Sequence, residues 1–71
     1  MNVTIQQMEK LLQGQYTFKQ LGFSMLLTRL KSSYADAPTQ ANLETCVNDI
    51  NAFIAKYSGI MSDDIAIIEK I

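Results

Sequence analysis

The sequence predicts an all-α fold: a small antiparallel bundle of three to four helices, built on a hairpin of the second and third. Three observations carry that expectation. Apolar residues recur three and four positions apart along most of the chain, and no segment alternates as a strand would. The pattern Thr-x-x-Gln stands twice just ahead of such a run, at Thr4 to Gln7 and at Thr17 to Gln20. Turn-forming residues separate the runs at Gly14, at Ala-Asp-Ala-Pro-Thr ending on Thr39, and at Ser58 and Gly59. With 71 residues, the chain has room for one domain, over residues 1–71.

The first helix is expected over residues 5–13. Thr4 can accept from the amide three residues on while Gln7 reaches back, and Val3 and Met8 take the positions of a hydrophobic staple. Ile5, Met8, Leu11 and Leu12 form its apolar stripe, and Gly14 supplies the stop. By the same reasoning the second helix starts near Phe18, with Thr17 and Gln20 as its capping box and Tyr16 and Leu21 as its staple. It ends around Ser32 to Tyr34, and Pro38 stands before or within the first turn of the next helix. The third helix is the clearest. Leu43, Cys46, Val47, Ile50, Phe53, Ile54 and Tyr57 share one face, with Asn42, Glu44, Asn48, Asp49, Asn51 and Lys56 on the other. Ser62 is expected to cap a fourth helix, where Asp63 and Asp64 complement the helix dipole ahead of Ile65, Ile67, Ile68 and Ile71.

A domain this small buries only about 60% of the surface its unfolded chain exposes. The single cysteine, Cys46, excludes an internal disulfide, and the absence of histidine removes the commonest metal ligand. Stability must come from helix packing, from a second subunit, or from both. An apolar content of 48% fits a packed helical core with residues to spare, and the second apolar side of helix 2 with the C-terminal isoleucines is more than so short a chain easily buries, which points to a homodimer. Charge is uneven. Up to residue 35, Glu9 faces Lys10, Lys19, Arg29 and Lys31, a balance of +3; from Asp36 onward six acids face Lys56 and Lys70, a balance of −4. The two halves are expected to attract each other within the fold or across a dimer; the other reading is a basic face for an anionic partner. The N-terminal segment lacks the pattern of a signal peptide, and no apolar run reaches the roughly 18 residues of a membrane span, so a cytoplasmic location without membrane contact is expected.

The stretch Gln-Leu-Gly-Phe-Ser-Met-Leu-Leu-Thr-Arg-Leu-Lys, residues 20–31, admits two readings. Over Leu21, Gly22, Phe23 and Ser24 it resembles the turn of the helix-turn-helix class, which implies a DNA-binding regulator working between Gly22 and Lys31, with Lys19, Arg29 and Lys31 on phosphates. The later positions fall out of phase with that class: Thr28 and Lys31 stand where apolar residues belong, and the bulky Phe18 stands where the helix crossing needs a small one. A continuous helix accounts for more. Phe23, Leu26, Leu27, Leu30 and Tyr34 form one apolar arc, Phe18, Leu21 and Met25 form a second, and Gly22 between them is a notch for a neighbouring helix.

Little in the chain suggests catalysis. No histidine is available as a base, Cys46 sits on the apolar face of its helix beside acids, and there is no phosphate-cradling loop. No enzyme activity, metal site or cofactor is expected. The sequence points to a non-enzymatic interaction module, an adaptor, inhibitor or small co-chaperone, that touches a protein partner or its own copy through Phe18, Leu21, Met25, Ile67 and Ile71.

Overall fold

In the computed structural model, which describes residues 1–71, the first capping box closes in both directions. Thr4 Oγ1 accepts from the Gln7 amide at 3.2 Å, and Gln7 Oε1 accepts from the Thr4 amide at 3.0 Å. Helix α1 follows at Ile5–Gln13. Val3 and Met8 are both buried, as a staple requires. Asn51 of the third helix holds Val3 in place: the Val3 N–H donates to Asn51 Oδ1 at 2.6 Å, and Asn51 Nδ2 donates to the Val3 carbonyl at 3.2 Å. Gly14 ends α1 in extended backbone (φ −87°, ψ 178°), not in the left-handed form expected of a C-terminal glycine. What it supplies is room, because a Cβ there would lie 2.6 Å from the Tyr16 ring and 3.0 Å from the Lys10 carbonyl.

Helix α2 is Leu21–Asp36, so it starts three residues later than a start at Phe18. The second Thr-x-x-Gln does not make a box. Gln20 is itself the N-cap, its Oε1 accepting from the Phe23 amide at 2.8 Å. Tertiary contacts explain the difference. Phe18 turns into the core, edge-on to Phe23 with ring centroids 4.9 Å apart, and the Lys19 and Gln20 amides donate to the Asp64 carboxylate at 2.8 Å each. Burying a phenylalanine contributes about 1.5–3 kcal/mol, and a hydrogen bond to a charged group about as much. Differences in helix propensity among such residues are a few tenths of a kcal/mol, so one further turn of helix cannot compete.

Residues 37–39 lead into α3, Gln40–Tyr57, with Pro38 just ahead of the cap. Thr39 accepts from the Asn42 amide at 3.1 Å, and Asn42 Nδ2 reaches back to the Ser33 and Ala37 carbonyls at 3.1 and 3.0 Å. One asparagine thereby ties the end of α2 to the start of α3. The two helices have 16 and 18 residues and form the expected hairpin, about 24 and 27 Å long at 1.5 Å per residue. Helix α4, Ser62–Glu69, starts without a side-chain cap; Met61 holds the cap position and Ser62 is the first helical residue. Asp63 and Asp64 stand in the first turn of α4, as expected, and Asp64 is in addition bonded to the start of α2. Gln7 Nε2 also donates to the Ile68 carbonyl, at 3.4 Å.

Thirteen apolar residues form one core, drawn from all four helices and their flanks. Helix α2 gives Phe23, Leu27 and Leu30; α3 gives Leu43, Cys46, Ile50 and Ile54; α1 gives Met8 and Leu11; Ile68 of α4, with Val3, Phe18 and Met61, closes the ends. The radius of gyration, 11.1 Å, matches the value of about 11 Å for a compact chain of this length. No strand is present, and no helix is long and apolar enough to cross a membrane.

Candidate interaction surface

Helix α2 faces two ways. Phe23, Leu27 and Leu30 are buried against the other helices, with Leu26 and Tyr34 half-buried beside them, as the first arc requires. The second arc divides. Phe18 is outside the helix and belongs to the core, so it is not a surface contact residue. Leu21 and Met25 remain, one helical turn apart and 72% and 64% exposed; only Ile60, at 71%, is comparable among the large apolar side chains.

The exposed side of α2 has a feature that apolar counting misses. Leu21, Met25, Thr28, Ser32 and Ala35 are all exposed, carry no charge, and stand four, three, four and three residues apart. That is the spacing of a coiled-coil seam. Beside Met25 the surface dips into a shallow socket lined by Ser24, Met25, Thr28 and Arg29. Thr, Ser and Ala are not hydrophobic enough to show in a periodicity search. The signal in the sequence is the absence of Lys, Arg, Asp and Glu from these five positions.

Ile67 and Ile71 are half-buried and pack against the core, along with Ile65, while Ile68 is fully inside. The isoleucines of the C-terminal segment are therefore largely used by the fold. Ile67 and Ile71 line an open groove of about 420 Å³ together with Tyr16, Lys10 and Lys70, and Lys10 Nζ donates to the Ile71 carbonyl at 3.1 Å. The five expected contact residues thus fall in three places: Phe18 inside, Leu21 with Met25 on α2, and Ile67 with Ile71 in this groove.

The basic residues are turned to separate partners. Lys19 Nζ lies 3.1 Å from Asp63, and Arg29 lies 3.8 Å from Asp49. Lys31 Nζ donates to the Gly14 carbonyl at 2.9 Å. Lys19 precedes α2 and reaches α4, Arg29 reaches α3, and Lys31 reaches the end of α1. Both ion pairs join a cation of the first half of the chain to an acid of the second, so the charge difference is met in part within the fold. Gly22, Phe23 and Ser24 lie inside the first turn of α2, and the backbone does not bend there. A Cβ on Gly22 would stand 3.2 Å from the Phe53 ring, which makes the glycine a notch for α3.

Cys46 is 1% exposed. Burial pushes its thiol above the ordinary range, and the nearby negative charge of Asp49 adds to the effect. The thiolate that nucleophilic chemistry needs is thereby disfavoured. No three cysteine or carboxylate side chains converge as a metal-binding group. The chain matches no protein-family model, no curated protein and no solved structure.

Proposed function

We propose that this protein is a non-enzymatic interaction module, an adaptor, inhibitor or small co-chaperone that works by presenting one face of a rigid helix. The observation that carries the reading is the exposure of Leu21 and Met25 one turn apart on the solvent side of α2, whereas Ile60, the other large apolar side chain as exposed, lies outside the helices. A thioether is suited to such a task, since methionine adapts its shape to different surfaces at little cost. The helix under it is held at its start by Asp64 and Gln20 and at its end by Asn42, so the face is presented without having to be ordered on contact. The groove at Tyr16, Ile67 and Ile71 is a second apolar surface, flanked by Lys10 and Lys70.

A photo-crosslinking amino acid at position 25, compared with one at the exposed position 45 of α3, tests this in the cells that make the protein. The expected result is a discrete set of crosslinked species from position 25 and none from position 45. Equal or absent crosslinking at the two positions would overturn the reading.

A further inference from the structure

We infer that the partner seated on α2 is a second copy of this chain, with the two α2 helices antiparallel across a twofold axis near Leu26 and Leu27. The inference rests on the reading of α2 as a contact face and names its occupant.

Three observations lead to it. The seam Leu21, Met25, Thr28, Ser32 and Ala35 carries no charge, so neither an acidic nor a basic helix gains anything by lying on it, whereas an equally uncharged surface does. The seam is also graded, with its two large residues at the N-terminal end and small ones from Thr28 onward. Turning a copy end for end places Leu21 against Ser32 of the second copy and Met25 against Thr28 of the second copy, so that large side chains meet small ones twice. Finally, Ser24, Met25, Thr28 and Arg29 already form a socket, and in this register Met25 of the second copy lies over it. A side chain inserted among four residues of the facing helix is the contact from which coiled coils are built. A closed twofold pair makes each such contact in duplicate.

Charge selects the orientation. In a parallel pair in register, each Arg29 would stand beside Arg29 of the other copy at the edge of the seam. In the antiparallel pair it lies near Ser24 of the other copy and keeps its contact with Asp49. The helix dipoles are also opposed in that arrangement. The seam is a single helix face, toward the lower end of what specific interfaces bury, so the pair is expected to dissociate on dilution.

Sedimentation equilibrium on the purified chain, over a wide concentration range, tests the inference together with pairwise cysteine crosslinking. The 8.0 kDa chain should approach twice its mass at the upper end. Met25→Glu, at an exposed position, should raise the dissociation constant at least tenfold while the circular dichroism spectrum stays unchanged. Mixing Leu21→Cys with Ser32→Cys should give a disulfide-linked dimer of the two variants, because only an antiparallel pair brings these positions together. A chain that stays at 8.0 kDa throughout, or a dimer indifferent to Met25→Glu, would overturn the proposal. So would a dimer in which Met25→Cys links to itself while the mixed pair does not. If the chain is monomeric but position 25 still crosslinks to another protein in cells, the contact face stands and only its occupant is wrong. If both fail, the reading of α2 falls too.

Discussion

Asp64 and Gln20 stand 44 residues apart, and the carboxylate of the first accepts the main-chain N–H of the second at 2.8 Å. The other oxygen of the same carboxylate takes the N–H of Lys19 at the same distance. A side chain in the first turn of α4 therefore caps α2, and it does so while 1% exposed. A buried carboxylate is tolerated only when its oxygens are bonded, and these two amides supply the bonds.

Asp64→Asn should be costly for that reason. The amide can accept one of the two hydrogen bonds but turns its own NH₂ toward the other donor. The expected loss is about 2–4 kcal/mol by urea unfolding, taking hydrogen bonds to charged groups at about 1.5–3 kcal/mol each. Asp63→Asn removes a contact between two largely exposed side chains, and its effect should stay below about 1 kcal/mol. Equal effects from the two would show that Asp64 acts as a surface charge and not as a cap.

Phe18 and Leu21 separate core from surface within four residues. Phe18→Ala should destabilise by about 3–5 kcal/mol, since it opens a cavity beside Phe23 and removes an edge-on ring contact. Leu21→Ala should stay within about 0.5 kcal/mol for the isolated chain. Unfolding followed at low protein concentration, where association contributes nothing, provides the comparison.

The glycines should respond in opposite directions to alanine. Nothing lies within 4 Å of a Cβ built on Gly59, and no residue of the chain has a positive φ. Gly59→Ala should therefore stabilise by about 0.4–1 kcal/mol through the unfolded chain alone. Gly14→Ala meets the Lys10 carbonyl at 3.0 Å, a main-chain atom that cannot swing aside, as well as the Tyr16 ring. It should lower the melting temperature and shift the ring resonances of Tyr16.

Burial raises the Cys46 thiol, and the sign of the resulting pH effect is fixed. The folded chain keeps its proton at a pH where the unfolded chain, with an ordinary thiol near about 8.5, has begun to lose it. The contribution to stability is whole below that point and is lost as the pH rises through the folded-state value. Unfolding free energies of the native chain and of Cys46→Ala should run parallel below about pH 8 and converge above it. Alkylation of the native thiol at neutral pH should proceed only as fast as the chain opens.

The part of the fold set by local pattern was legible in the sequence. Seven apolar positions of α3 fall on one face and all contribute to or pack on the core. Thr4 and Gln7 formed the box their spacing implies. Thr17 and Gln20 have the same spacing and formed none, because an acceptor 44 residues away and a burial site for Phe18 both favoured a later start. Neither competitor can be read from the residues around Thr17. For the surface, the sequence identified Leu21 and Met25, whereas Phe18, Ile67 and Ile71 were drawn wholly or partly into packing. Their side chains are as apolar as Leu21, and only the position of the neighbouring helices distinguishes them.

The bonds from Gln7 to Ile68 and from Lys10 to Ile71 each span 61 positions, so the earliest helix is secured by the latest. A chain cut after Tyr57 would therefore lose the anchorage of α1 together with α4.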